Sequence, residues 1–263
     1  MPVTDDEVTE LAQKLFDARA GAAWTQGVPR LSGLAELDGY RVQAALLDLH
    51  LDAGDSLAGY KIGLTSPAAQ TSYGASAPAW GFLLQSSVLD TTRNPRLPHV
   101  QARKIEAELA FVFGEDLPEG EVSSDDVVEA TSTLRLAAEI VDTRWLGGAA
   151  DLGSLVADDV SNAAVALGPQ VAAAYAGSAD IRAVVRAAGR EEAGSSAAVL
   201  GRPANAVAWL ASALAQHGLR LAAGQLVMSG SFGTPLAVDP EDDVLLDFGE
   251  LGRLELSGAP VVE

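Results

Sequence analysis

Three glutamates stand inside segments that are otherwise too apolar to carry charge cheaply. Glu106 and Glu108 lie two apart in Lys104-Ile105-Glu106-Ala107-Glu108-Leu109-Ala110-Phe111-Val112-Phe113, and Glu139 lies in Leu136-Ala137-Ala138-Glu139-Ile140-Val141. Alternate side chains of a strand point to opposite faces, so Glu106 and Glu108 project together while Ile105, Ala107, Leu109 and Phe111 pack on the other side. Two carboxylates held that close need a cation, because an ionised carboxylate buried without a partner is costly and normally escapes by taking up a proton. A Glu-x-Glu strand can instead show a solvated face to lysines or arginines on the next strand. The run around Glu139 offers no such alternating polar face, and a third carboxylate in an equally apolar segment points to one shared ion. Three carboxylates plus waters form a hard, all-oxygen set, which suits Mg²⁺ or Mn²⁺ better than Zn²⁺.

Composition narrows the class. A chain of 263 residues, 48% hydrophobic, is expected to form one large domain, or one with a small satellite. With no cysteine there is no disulfide framework, no thiolate nucleophile and no cysteine zinc site, which fits a cytoplasmic enzyme. Residues Met1 to Glu7 are acidic and lack the layout of a signal peptide, and no apolar run approaches the roughly 20 residues of a membrane span. A formal charge of −19, without any cluster of Lys or Arg, argues against nucleic acid as a partner.

Helical periodicity leads the chain. Val8, Leu11, Ala12, Leu15 and Phe16 form a stripe over about Asp5 to Ala20 after the capping residue Thr4, and a second helix is expected over about Leu34 to Leu51. Strand-like segments follow at Leu57 to Leu64, Ile105 to Phe113, Leu134 to Val141, Leu226 to Ser229, Val244 to Phe248 and Leu254 to Ser257. Helices are expected at Asp125 to Ala130, Ser154 to Ala166 and Pro203 to His217, the last opened by a proline and closed by Gly218. The organisation is α+β: a helical N-terminal region over residues 1–75 and a larger mixed sheet domain over 76–263.

The usual phosphate loops, Gly-x-Ser-x-Gly elbows and His-Glu-x-x-His helices are missing from the sequence. His50, His99 and His217 are scattered and read as surface or capping residues, so acid-base work falls to Lys, Asp, Glu or bound water. Lys61, in the apolar run Gly59-Tyr60-Lys61-Ile62-Gly63-Leu64-Thr65-Ser66-Pro67, is the candidate. Desolvation there would lower its pKa and let it shuttle a proton; otherwise it pairs with an anionic substrate, or is a plain edge-strand lysine. Ser66-Pro67 reads as an N-cap and first helical residue.

Several linked strings carry a resemblance. Gly59-Tyr60-Lys61-Ile62-Gly63-Leu64-Thr65-Ser66, the segment around Glu106 and Glu108, Ala137-Ala138-Glu139-Ile140-Val141-Asp142-Thr143-Arg144, Val156-Ala157-Asp158-Asp159-Val160-Ser161-Asn162 and Val207-Ala208-Trp209-Leu210-Ala211 are among them. With Ser229-Gly230-Ser231 in the tail, they make the chain from about Leu34 to Glu263 similar to the 2-keto-4-pentenoate hydratase and 4-oxalocrotonate decarboxylase family of the fumarylacetoacetate hydrolase superfamily. The resemblance implies a mixed β roll behind the helical region, a homo-oligomer, and Mg²⁺ or Mn²⁺ held by Glu106, Glu108 and Glu139. It further implies a small 2-oxo acid substrate chelated through its C1 carboxylate and C2 oxygen, with the ion stabilising an enolate. Lys61 matches the family's lysine beside the substrate, and Thr65, Asp158, Ser161 and Ser231 match positions of the substrate pocket.

Two departures bear on the reaction. Where hydratases of this family usually show Pro-Asp-Phe/Tyr-Gly, the chain has Pro78-Ala79-Trp80-Gly81, so an acid credited with handling the added water is absent, as it is in the decarboxylases. Asp159 replaces a usual Asn and is expected to add charge near the pocket. Three readings follow: a hydratase of a 2-hydroxy-dienoate, favoured by the hydratase-like strings; a decarboxylase of a 2-oxo-3-enedioate, favoured by Ala79; and a non-catalytic metal-binding homologue, against which the three glutamates and Lys61 stand. Lys61, Arg103 and Arg144 are the candidates, within the nearby motifs, for a cation at the far end of a diacid, and the sequence does not place them there.

Overall fold

The computed structural model describes residues 3–20, 27–91, 103–118 and 120–258. Two helices open the chain, α1 (Asp5–Ala20) and α2 (Glu36–Asp52). Thr4 caps α1 reciprocally with Glu7: the Thr4 amide donates to the Glu7 carboxylate at 2.8 Å and the Glu7 amide donates back to Thr4 Oγ1 at 3.3 Å. The buried stripe of Val8, Ala12, Leu15 and Ala18 packs with Val42 and Leu46 of α2 against Phe82 and Trp145, a small core of its own.

The chain continues through β1 (Leu57–Gly63), α3 (Pro67–Tyr73), β2 (Ala79–Leu84), β3 (Val88–Asp90) and β4 (Lys104–Phe113). Then come α4 (Ser124–Ala130), β5 (Thr131–Val141), α5 (Leu152–Ala157), β6 (Asn162–Val171), β7 (Arg182–Ala187) and β8 (Arg190–Ser195). The last elements are α6 (Pro203–Gln216), β9 (Leu226–Met228), β10 (Leu236–Ala237), β11 (Val244–Asp247) and β12 (Arg253–Leu256). A mixed sheet in the order β2-β1-β9-β4-β5-β6-β3, with β10 on β4, stands beside a four-stranded sheet in the order β12-β11-β7-β8. Helices followed by a mixed, curled sheet are the α+β arrangement expected. The 75/76 boundary falls within the larger sheet, since β1 pairs with β2 on one side and β9 on the other.

One expected helix is replaced in half its length. Ser154–Ala166 is helical only within α5, and the chain re-enters the sheet as β6. Between them Asp159, Val160 and Ser161 all take left-handed φ values of 52°, 48° and 59°, a conformation that ends any right-handed helix. His50 is a second correction: it is buried in α2, its ring 4.8 Å from that of Phe16, and burial pushes its pKa down to about 4. His217 follows α6 as its exposed C-cap, and His99 lies outside the described residues.

Candidate metal and substrate site

The sheet register explains why the three glutamates meet. β4 and β5 run antiparallel with Glu106 directly opposite Glu139 and Glu108 opposite Ala137, so all three carboxylates leave one face of two adjacent strands. One oxygen from each lies within 4.8 Å of the others. The opposite face of β4 buries Ile105, Ala107, Leu109 and Phe111 in the main core, which holds the strand rigid. Like charges directly across a ladder repel, and neither Glu108 nor Glu139 is exposed at all. The repulsion appears as raised pKa values. Burial first, and then Glu139, push Glu106 up to about 7; burial, then Glu139 and Glu106, push Glu108 well above the ordinary carboxylate range.

Hydrogen bonds use only part of this oxygen set. Glu108 Oε2 accepts the Gly230 amide at 2.8 Å, and Glu139 Oε1 accepts both Lys61 Nζ and Asn162 Nδ2 at 3.0 Å. Glu108 Oε1 and Glu139 Oε2 are buried without any hydrogen-bond partner, although buried polar atoms are nearly always satisfied. Two orphaned carboxylate oxygens beside a third carboxylate fit a hard divalent cation. Gly230 is required for this packing: at φ 103° its amide reaches Glu108, and a Cβ there would stand 2.5 Å from Thr65 Cγ2.

Lys61 enters from β1, an interior strand, which removes the edge-strand reading. It is 2% exposed, with Nζ held by Glu139 and by the Val160 carbonyl at 3.1 Å. The expectation of a lowered pKa is overturned in this state. Burial does pull it down, but Glu139, Glu106 and Glu108 together outweigh burial and raise it above the ordinary lysine value.

A cavity of about 970 Å³ opens over the cluster, and Lys61, Thr65, Glu106, Ser161 and Ser231 all lie on its wall. Thr65 and Ser161 are buried; the Ser231 hydroxyl donates to the Gly233 carbonyl at 2.8 Å. Asp158 is placed elsewhere. It is fully buried behind the wall, where it pairs with Arg144 and accepts the Arg144 amide at 2.9 Å and Thr143 Oγ1 at 3.1 Å. Its carboxylate thereby shapes the 143–144 loop instead of facing the cavity. Asp159 likewise keeps its charge from the pocket, accepting from Arg19 Nη1 at 2.9 Å and the Phe82 amide at 2.7 Å. Burial raises its pKa to about 6 against the pull of Arg19.

Neither Arg103 nor Arg144 lines the cavity: Arg103 Nη1 donates to the Pro240 carbonyl at 3.1 Å, and Arg144 is spent on Asp158. Among the described residues, the further cations on the wall are Lys104 and Arg30. Lys104 was legible, because the period of two that pairs Glu106 with Glu108 puts Lys104 on the same face; Arg30 carried no local signal. Ala79 is fully buried in an apolar cluster with Leu155, Val156 and Val160, one layer behind the wall.

Residues 64–259 match the fumarylacetoacetate (FAA) hydrolase C-terminal family. The chain belongs to that family. Within it, the chain is 31% identical to a 2-keto-4-pentenoate hydratase of Paraburkholderia phymatum, over 96% of this chain and 98% of the relative. It is equally 31% identical to a 4-oxalocrotonate decarboxylase of Pseudomonas sp. strain CF600, over 94% of each. A solved 4-oxalocrotonate decarboxylase from Pseudomonas putida G7, complexed with magnesium and adipate, superposes with a TM-score of 0.86 at 26% identity, covering 98% of this chain and 99% of that one. Family membership thus agrees with the fold and leaves two related reactions to be separated by the site.

Proposed function

We propose that this FAA hydrolase family member is a divalent-metal-dependent lyase that hydrates 2-hydroxypenta-2,4-dienoate, or a close analogue, to a 4-hydroxy-2-oxo acid. The observation that carries the reading is the junction of Lys61 with the three glutamates, of which Glu106, like Lys61, lies on the cavity wall. Glu106, Glu108 and Glu139 would hold Mg²⁺ or Mn²⁺, the hard ions their oxygens suit. When bound there, the ion supplies Lewis-acid stabilisation of negative charge developing on a 2-oxo acid.

The chain's own groups do the rest. Lys61 holds its proton at Nζ, oriented by Glu139 and the Val160 carbonyl, and delivers it to C5 as the dienol becomes the 2-oxo-3-ene, the proton that leaves the C2 hydroxyl restoring the ammonium. Conjugate addition then places a water hydroxyl on C4 and a proton on C3. Thr65, Ser161 and Ser231 supply hydroxyls to orient the substrate carboxylate, while Trp145, Leu155 and Val160 form an apolar side of the wall.

A second reading has observations of its own. Ala79 offers no acid, and Arg30 and Lys104 on the wall suit the second carboxylate of a diacid, a class to which the adipate of the P. putida G7 structure belongs. In that reaction the bond from carbon to the distal carboxylate breaks, CO₂ leaves, the electron pair passes to the 2-oxo enolate, and Lys61 returns a proton to carbon. We also infer a homo-oligomer from the family resemblance, which light scattering of the purified protein tests.

Purified protein loaded with Mg²⁺ is to be assayed against 2-hydroxypenta-2,4-dienoate and 2-oxohex-3-enedioate, following conjugated absorbance and CO₂. Absorbance loss on the dienoate without CO₂ is the expected result. Release of CO₂ from the diacid would replace hydration with decarboxylation, and silence on both would sink each reading.

A further inference from the structure

Arg19, in the last turn of α1, is a buried cation that the proposed reaction does not use. Its side chain is 8% exposed, it is not on the cavity wall, and its guanidinium stacks 5.4 Å from the centre of the Phe82 ring. The guanidinium fork divides between two partners. Nη1 donates to Asp159 Oδ2 at 2.9 Å, and Nη2 donates to Asn162 Oδ1 at 3.3 Å. Those partners bracket the three left-handed residues Asp159, Val160 and Ser161, and the Asp159 carboxylate also ties the turn to β2 through the Phe82 amide.

Two bonds run from this turn into the site: the Val160 carbonyl to Lys61 Nζ at 3.1 Å, and Asn162 Nδ2 to Glu139 Oε1 at 3.0 Å. A valine at φ 48° persists only where its surroundings over-determine it. Arg19 contributes that constraint from a helix far away in sequence.

We propose that Arg19 and Asp159 are positioning residues, a matched ion pair through which α1 clamps the left-handed turn and so sets where the Lys61 ammonium and the Glu139 carboxylate point. The inference rests on the roles proposed above for those two groups. It also explains the departure at 159. The expected Asn would tolerate a left-handed φ and accept the Phe82 amide without any cation, whereas Asp brings a charge into a dry position and Arg19 answers it. Removing the cation alone should then be worse than exchanging both residues.

The test is a calorimetric Mg²⁺ titration of the substrate-free, full-length protein, with kcat and KM measured alongside. Arg19→Gln is expected to weaken Mg²⁺ binding and lower kcat, each by about 10–100-fold, with KM nearly unchanged, as lost support behind metal ligands does. Adding Asp159→Asn should recover most of both losses. A folded Arg19→Gln protein with wild-type Mg²⁺ affinity, or a double variant no better than the single one, overturns the proposal. Should Arg19→Gln fail to fold, Arg19→Lys keeps the charge but cannot fork to both partners; it should show a smaller loss of affinity, and wild-type affinity there refutes the clamp. Because the titration needs no turnover, a wild-type protein that binds Mg²⁺ yet acts on neither acid would defeat the proposed reaction while leaving this inference to the affinities.

Discussion

Loading the metal-free protein with Mg²⁺ should expel protons, and the site's electrostatics say how many and in which direction. Glu106 titrates at about 7, so at pH 7 it carries about half a proton in the metal-free fold, and Glu108, raised well above its usual range, adds to that. A cation bound by carboxylates requires both to ionise. Binding at pH 7 should therefore release at least about half a proton per ion, and affinity should climb with pH by up to about tenfold per unit for each proton released. The sign for folding is the reverse. A carboxyl whose folded pKa exceeds its unfolded value of 4.5 favours the fold below that value, so the metal-free protein should lose stability as pH rises from about 4.5 to 7. Mg²⁺ at 100 times its Kd would return about 2.7 kcal/mol, or roughly 5–10 °C in Tm for a chain of this size. Calorimetry in two buffers of different ionisation enthalpy counts the protons, and thermal melts across pH read the stability. A binding enthalpy independent of buffer, with affinity flat from pH 6 to 8, would refute the shared-ion reading of Glu106, Glu108 and Glu139.

Glu106→Ala should abolish Mg²⁺ binding and turnover together; normal turnover without the ion would defeat the mechanism. Lys61→Met should lower kcat by about 10²–10⁴-fold while Mg²⁺ affinity is kept or improved, since a cation beside the carboxylates has been removed. Asp158→Asn should cost about 3–5 kcal/mol in chemical denaturation by leaving Arg144 buried without its anion, and KM of the surviving enzyme should stay close to wild type; a raised KM with unchanged stability would return Asp158 to the substrate.

Much of the fold was legible where pattern and packing agree. The stripe of α1 reports a single buried face and the period of two in β4 sorts its side chains onto two faces, and both elements lie where their periodicity puts them. The β7–β8 hairpin was not legible, because Arg190-Glu191-Glu192-Ala193-Gly194 has little strand character and its turn rests on Ala188 and Gly189 at φ 47° and 77°. The false helix over Ser154–Ala166 came from reading apolar content as helical period; Asp158 and Asp159 inside it were the warning, since both spend their charges on distant arginines. In the site, the glutamates were readable because charge in an apolar strand has few explanations. Asp158 was misplaced for the complementary reason. An aspartate beside pocket residues has two, and a string of neighbours cannot tell a wall from the layer behind it.

The two opposed expectations for Lys61 are reconciled by the charge of the cluster. In the metal-free site Glu106 and Glu108 keep part of their protons, yet the negative charge that remains around Lys61 still outweighs burial, so the lysine is an ion-pair partner whose pKa burial cannot lower. A divalent cation seated among the same oxygens would offset that negative charge and weaken its hold on the Nζ proton, leaving burial, which acts in the other direction. The ammonium would then be poised to give up its proton only in the loaded site, with the Val160 carbonyl still aiming it. Glu139 is the hinge of this arrangement, because it alone touches Lys61 and also presents a free buried oxygen to the ion. Acid strength at Lys61 and metal occupancy at the glutamates are on this argument one property of the site.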